Sequence, residues 1–281
     1  MRRLRLFRLR PVPIDGAKDE ETRAGASKDG ASKDGASNDG ASNDGASNDG
    51  AFGLALILAA LAGWVDAAGI AGSGGIFLSF MSGNTTDLAA SLVQQDWLQA
   101  KLIGAVLGTF VAGVMVGELL EPLGGRFGPP LILAVEAVVL GLGAALHWRG
   151  VMVPSWLGLF VPAPTLALLP RLAPLAACPL VFAMGLQNAT MHRAGGIGIG
   201  LTYVTGTLVQ FGKALAGIVR GNGGARRLVE YGAVWLSLAL GAALGTAALS
   251  LSIGAALSVA ASVALCLSAA TAFTATRPRR G

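Results

Sequence analysis

The sequence predicts an all-α fold: a polytopic bundle of transmembrane helices, about eight spans in two internal repeats, behind a disordered N-terminal tail. Three observations predict it. Of 281 residues, 53 % are apolar and 13 % are charged, against about 25 % charged in an ordinary soluble domain. The charge is crowded into residues 1–50, with nine Lys/Arg and nine Asp/Glu, so the rest of the chain is only roughly 8 % charged. Apolar runs near the 20 residues that a helix needs to cross hydrocarbon recur from residue 52 to residue 274. Motifs of the first half return in the second.

These features exclude two function classes. A soluble fold leaves much of its surface wet, and the body of this chain lacks polar residues to cover it. That excludes a soluble enzyme. The net charge of +5 and the isoelectric point near 9.7 read as membrane topology, not as a phosphate footprint, so no nucleic-acid partner is expected.

The tail comes first. From Ala26 to Gly50 the chain repeats Ala-Ser-Lys-Asp-Gly twice and Ala-Ser-Asn-Asp-Gly three times. Small polar residues with a glycine every fifth position cannot offset chain entropy by burial, so residues 1–50 are expected to be disordered. Met1–Arg10 is basic, but Pro11 and Pro13 follow before any apolar stretch. A secretory signal peptide is therefore not expected.

The expected spans are 52–71, 77–94, 99–120, 129–147, 174–192, 200–219, 228–250 and 252–274. Two of them, 77–94 and 200–219, are rich in Asn, Thr, Gly and Gln, and either cross while shielded or form re-entrant segments. In the second case six spans remain. With eight spans and the N-terminus inside, the inner side carries Lys101, Arg149, Arg171, Arg220, Arg226, Arg227, Arg277, Arg279 and Arg280, and the outer side only Arg126 and Arg193. That bias puts both termini in the cytoplasm. Pro154, Pro162, Pro164 and Pro170 interrupt the next uncharged stretch, so residues 151–173 are read as an interfacial linker. It divides a first repeat at 51–150 from a second at 174–281.

Gly63-Trp64-Val65-Asp66-Ala67 and Phe80-Met81-Ser82-Gly83-Asn84-Thr85 are echoed by Gly185-Leu186-Gln187-Asn188-Ala189 and Thr202-Tyr203-Val204-Thr205-Gly206-Thr207. The offset is 122 residues at Asp66/Asn188 and 123 at Gly83/Gly206. Gly113-xxx-Gly117 is echoed by Gly241-xxx-Gly245, a spacing that lets helices approach closely. Four spans per repeat make the repeats parallel; three make them inverted. Together the four motifs resemble the YoaK family of bacterial integral membrane proteins, a domain of unknown function. The resemblance covers about residues 52–274 and implies a multi-pass protein of the bacterial inner membrane, with no substrate attached to it. Ser82 stands where the family is expected to have threonine, and the hydroxyl is kept.

Several residues are candidates for chemistry. A carboxylate inside a span costs about 2.5–3.5 kcal/mol on insertion scales, which turns attention to Asp66, and Glu136 lies in the fourth span. Helical spacing gathers Gly83, Asn84, Asp87 and Ser91 on one face, with Thr85 beside it. Gly206, Thr207, Gln210 and Lys213 form the equivalent face, with Thr205 just before it. Gln187 and Asn188 are the polar counterparts of the first-half motif. These residues are the expected substrate or ion pathway, with Gly83 and Gly206 serving packing or helix breaks, and Asp87 is expected to approach Lys213. Cys178 and Cys266 read as small core hydrophobes, and two histidines, His147 and His192, are too few for a metal site. No cofactor is expected. Gly195-Gly196-Ile197-Gly198-Ile199-Gly200 resembles a phosphate loop only in composition, since no strand precedes it. No hydrolytic constellation can be assembled, so an enzyme is not expected. The expectation is a small-solute transporter with a polar site between the repeats, coupled to protons or cations, with the lipid bilayer, an unknown small solute and a second copy of the chain as partners. The rival reading is a membrane scaffold or an intramembrane enzyme of unfamiliar type.

Overall fold

The structure, a computed structural model, describes residues 45–73, 75–148, 173–194 and 204–276. Residues 1–44, the Pro-rich linker at 149–172 and the glycine-rich segment at 195–203 lie outside the described residues. Among the described residues every regular element is helical: α1 Gly45–Ser73, α2 Met81–Val93, α3 Trp97–Gly124, α4 Gly128–Trp148, α5 Ala173–Ala194, α6 Val204–Val219, α7 Ala225–Ala248 and α8 Ile253–Thr276. Each expected span overlaps one of these helices. Residues 45–50, expected to be disordered with the rest of the tail, are instead helical as the first described turns of α1, because a nucleated helix extends into neighbouring residues at little further cost.

Among the described residues four stretches are long and apolar enough to cross a membrane: Gly50–Ala71, Trp97–Ala145, Ala225–Ala248 and Ile253–Thr276. The second, 49 residues long, is a hairpin of α3 and α4. Gly125 ends α3 with φ 53°, a left-handed value that glycine adopts without strain. A 3-10 turn over Gly125–Phe127 follows, and Pro129 and Pro130 fit the first turn of α4. Points on either side of this turn reach adjacent turns of α5: a Cβ added to Gly113 would strike the Phe182 carbonyl, and one on Gly143 would lie 2.9 Å from a Leu180 methyl. The chain therefore doubles back. Helix α2, of 13 residues, and the 16 described residues of α6 are shorter than the roughly 20 needed to cross. A Schellman motif stops α2: Asp96 N–H donates to the Ser91 carbonyl and Gln95 N–H, with Gln95 at φ 57°, to that of Leu92.

The long helices pair through glycines. On α7, a Cβ at Gly241 would overlap the Ala60 carbonyl of α1, and one at Gly245 would lie 2.7 Å from the Trp64 carbonyl oxygen. On α3, Gly113 abuts Phe182 of α5, and a Cβ at Gly117 would lie 2.6 Å from that of Ala189. Residue numbers rise together across both crossings, so α1 runs parallel to α7 and α3 to α5. Helix α4 packs on α8 in the opposite sense. Ser268 Oγ donates to the Pro130 carbonyl at 2.7 Å, Gly141 faces Ala261, and Gly143 approaches Leu257. Helix α1 is also antiparallel to α8: Trp64 Nε1 donates to the Ala256 carbonyl at 2.8 Å, while Ile57 shares a groove with Cys266. Eight alternating crossings would need α4 and α8 to run the same way. They run oppositely.

The buried centre is apolar and continuous, with Leu58, Val65, Ile103, Val106, Leu133, Leu140, Val181 and Met184 in one cluster. The outer faces are apolar as well; Val111, Met115 and Leu119 of α3 are 64, 56 and 60 % exposed. In lipid such exposure carries no hydrophobic penalty, which leaves close packing to hold the helices together. It also explains a departure from the sequence reading. Cys178 packs against the core, but Cys266 lies on the exposed side of α8, because a small apolar residue is at home in lipid.

Replacing Gly241 with Leu should lower stability by more than the ~1–3 kcal/mol of ordinary overpacking, because the obstacle is the Ala60 backbone. Gly104→Leu, which meets nothing within 4 Å, serves as control. Thermal melting in detergent reads the difference, and equal melting of the two variants would refute the crossing as described.

Candidate functional site

Two polar constructions stand out inside the bundle. The first is built on Asp66, which is 3 % exposed. Between α1 and α2 the chain at 75–80 is not helical, and its backbone groups need partners that helices would otherwise supply. Asp66 provides them. Its Oδ1 accepts from Leu78 N–H at 2.6 Å and from Ser79 N–H at 2.8 Å, and its Oδ2 accepts from the Ser79 hydroxyl. Asn84, 1 % exposed, binds the same segment from the α2 side. Its Oδ1 accepts from Phe77 N–H at 3.2 Å and its Nδ2 donates to the Phe77 carbonyl at 2.7 Å. Gly83 leaves room for this, since a Cβ there would come within 3.1 Å of the Phe77 ring. Asp66 and Asn84 therefore form a knot that holds the returning chain against α1.

The second construction is Glu136 and Gln187. Both are buried, at 0 and 1 % exposure. Gln187 Nε2 donates to the Leu58 carbonyl of α1 at 2.7 Å. Gln187 Oε1 and both carboxylate oxygens of Glu136 have no hydrogen-bond partner among the described residues. These are buried acceptors without donors among the described residues.

The stripes of α2 and α6 behave differently. Thr85 and Asp87 are exposed, and Thr85 donates to the Met81 carbonyl at 2.8 Å. Thr205, Gln210 and Lys213 are exposed, Thr207 is buried and Gly206 is half-buried. Asn188 Nδ2 turns back on its own helix, to the Met184 carbonyl at 2.8 Å. The expected approach of Asp87 to Lys213 does not occur. Helix α2 packs on the beginning of α3, and α6 on the beginning of α7, with Phe211 against Gly232. Since α1 is parallel to α7, the end of α1 that holds α2 lies away from the end of α7 that holds α6. The two charges sit at opposite ends of the bundle. Lys213 instead lines a cavity of about 630 Å³ with Gln210, Asn222, Arg226, Arg227 and Tyr231, and Arg226 is ion-paired with Glu230 at 2.7 Å.

Sequence reasoning missed Ser79, Trp64 and Ser237. Ser79 gives Asp66 two of its three bonds, Trp64 ties α1 to α8, and Ser237 Oγ donates to the Leu56 carbonyl at 2.7 Å. For Ser79 the signal was present, a hydroxyl beside the motif at 80–85; the other two depend on helix register.

The chain is similar to known proteins over this whole region. A family described as "Protein of unknown function (DUF1275)" matches residues 54–270. A UPF0700 transmembrane protein of Rhizobium meliloti (strain 1021) is 33 % identical over 195 residues, which is 69 % of this chain and 74 % of that protein. No solved structure matches.

Asp66→Ala orphans the N–H groups of Leu78 and Ser79, at about 1–3 kcal/mol for each buried donor. Asp66→Asn keeps one accepting oxygen and should lose less. The expected order of melting temperature in detergent is wild type, Asn, Ala, with protease cutting between residues 75 and 80 appearing first in the Ala variant. An Ala variant that melts with wild type would show that the knot contributes nothing.

Proposed function

The chain belongs to the DUF1275 family, and on that premise we propose that it is a secondary transporter of a small solute in the bacterial inner membrane, built from two inverted halves. It acts as a carrier, not as an enzyme. The observation that carries this reading is the exchange symmetry of the packing. Helix α1 holds α7 as α5 holds α3, α2 and α6 each lie on the next long helix, and α4 meets α8. The match extends to residues: Gly241 on Ala60 and Gly245 on Trp64 correspond to Gly113 on Phe182 and Gly117 beside Leu186. Both pairs keep the 122-residue offset on α1/α5 and a 128-residue offset on α3/α7.

Helix direction supports three crossings per half. With α1 antiparallel to α8, and α8 to α4, the chain reverses once between α1 and α3, so α2 enters and leaves on one side. The same holds for α6. An odd number of crossings turns the second half over. Inverted repeats with short broken helices recur in secondary transporters, with sites at the interface between halves. In this topology Arg126, Arg193, Arg220, Arg226, Arg227, Arg277, Arg279 and Arg280 are inside, and Lys101, Arg149 and Arg171 are outside. The bias again favours cytoplasmic termini. The solute path runs between the halves past Gln187, Glu136 and the Asp66–Asn84 knot, with α2 and α6 closing it from opposite sides, coupled to a proton or cation gradient.

Two measurements test this. After Cys178 and Cys266 are replaced by alanine, a membrane-impermeant maleimide applied to whole cells should label Thr85→Cys and spare Thr205→Cys. In inverted vesicles it should label Thr205→Cys. Labelling of Thr205→Cys from outside would restore eight crossings. For transport, proteoliposomes on a solid-supported membrane are challenged with a panel of sugars, amino acids, nucleobases and organic cations. A solute-evoked current is expected for one class, and traces matching empty liposomes throughout would sink the reading.

A further inference from the structure

The two buried carboxylates are provided for in different ways, and the difference assigns them different work. Asp66 accepts three hydrogen bonds from the chain at 78–79. Its charge is fully occupied in holding that segment, so it is poorly suited to take up and release anything. Glu136 accepts none.

The register of α4 on α5 gives Glu136 a neighbour. The two helices are antiparallel, because α4 folds back on α3 and α3 is parallel to α5, and Gly143 lies on Leu180. Two helical turns are about seven residues. Stepping two turns back along α4 and two turns forward along α5 brings Glu136 opposite Gln187. The amide cannot supply a donor, since its Nε2 is committed to the Leu58 carbonyl. On this register Gln187 Oε1 and Glu136 Oε1 and Oε2 belong to the same α4–α5 seam, three buried acceptors without a partner among the described residues. No lysine or arginine is among the buried described side chains. Of the titratable groups on the helices around α4, Lys101 is exposed at the start of α3, Glu118 and Glu121 of α3 lie toward the α3–α4 turn, Cys178 is on α5 and Cys266 is on the exposed side of α8, while the side chains of His192 and Arg193 at the end of α5 lie outside the described residues. Asp66 is two turns further along α1 than Leu58. Among the described side chains none supplies a counter-charge.

A proton resolves the conflict with the fewest additions. On Glu136 it removes the uncompensated charge and turns one acceptor into a donor aimed at another acceptor. A hard metal cation asks for about six oxygens, and the orphaned oxygens number three. We propose that Glu136 and Gln187 form an intramembrane proton-binding pair, in which Glu136 carries an exchangeable proton and donates it in a hydrogen bond to Gln187 Oε1. The inference deepens the transporter reading by naming the coupling ion as the proton and Glu136 as its carrier. Its test needs no solute, so it stands or falls separately from transport.

The full-length protein in lipid nanodiscs is examined by infrared spectroscopy in the carbonyl region of protonated carboxylic acids. Wild type should show an acid band that shifts on exchange into heavy water, the mark of an exchangeable proton. Glu136→Gln should lose the band and Asp66→Asn should keep it. Gln187→Leu should keep the band but move it, because the acid loses its acceptor. An acid band that survives in Glu136→Gln, or one that does not move in Gln187→Leu, would overturn the pair. If Glu136→Gln does not fold, dicyclohexylcarbodiimide on wild-type protein decides. The reagent adds to a protonated acid: the carboxyl oxygen bonds to the carbodiimide carbon, the proton passes to nitrogen, nothing leaves, and the adduct rearranges to a stable acylurea. Peptide mass spectrometry should find it on Glu136. An unmodified Glu136, or an adduct on Asp66 in its place, would overturn the proposal.

Discussion

The two hydrogen bonds from Leu78 and Ser79 to Asp66 Oδ1 let a stretch of non-helical chain lie buried against α1. In a bilayer an unsatisfied peptide N–H has no water to turn to, and each costs several kcal/mol. The carboxylate meets that demand with one side chain, and Asn84 meets it again from the other flank. Much else follows from this. Past this segment the chain runs through α2 into α3, which pairs with α5 and folds back into α4.

Close packing then does what burial from water does in a soluble core. Lipid tails are as apolar as the outer faces of α3 and α7, so apolar contact alone does not favour helix on helix. The glycines at 113, 117, 241 and 245 bring backbones near enough for dispersion and direct hydrogen bonds to act. The bonds from Trp64, Gln187, Ser237 and Ser268 to carbonyls of neighbouring helices are of that kind. Each uses a side chain to reach a backbone group that its own helix already satisfies, adding attraction without creating an orphan.

Much of this was legible in the sequence. The all-helical character and the position of each helix followed from apolar runs, and Asp66 was marked by its setting. The paired small-residue motifs foretold the two glycine crossings. Direction was not legible. A polar 18-residue stretch reads equally as a shielded crossing or as a short returning helix, and hydropathy holds no record of which way α4 runs along α8. The expected meeting of Asp87 with Lys213 failed for the same reason, since it assumed that α2 and α6 lie side by side. Glu136 and Gln187 were each visible as polar residues in apolar runs, but nothing in hydropathy states which faces of two distant helices will meet. Residues 1–44 of the tail, the linker and the glycine-rich loop before α6 lie outside the described residues, while 45–50 are drawn into α1.

The glycine crossings also determine where the molecule can yield. A contact between two backbones has no side chain to rotate out of the way, so α1 with α7, and α3 with α5, behave as stiff beams that shift only as units. Helices α2 and α6 are each braced chiefly on one beam, and α2 is further pinned at its first turns by Asp66 and Asn84. Thermal motion in such a frame collects in its lightly braced members. The compliance of the protein is therefore concentrated in two short levers, one at each end of the bundle.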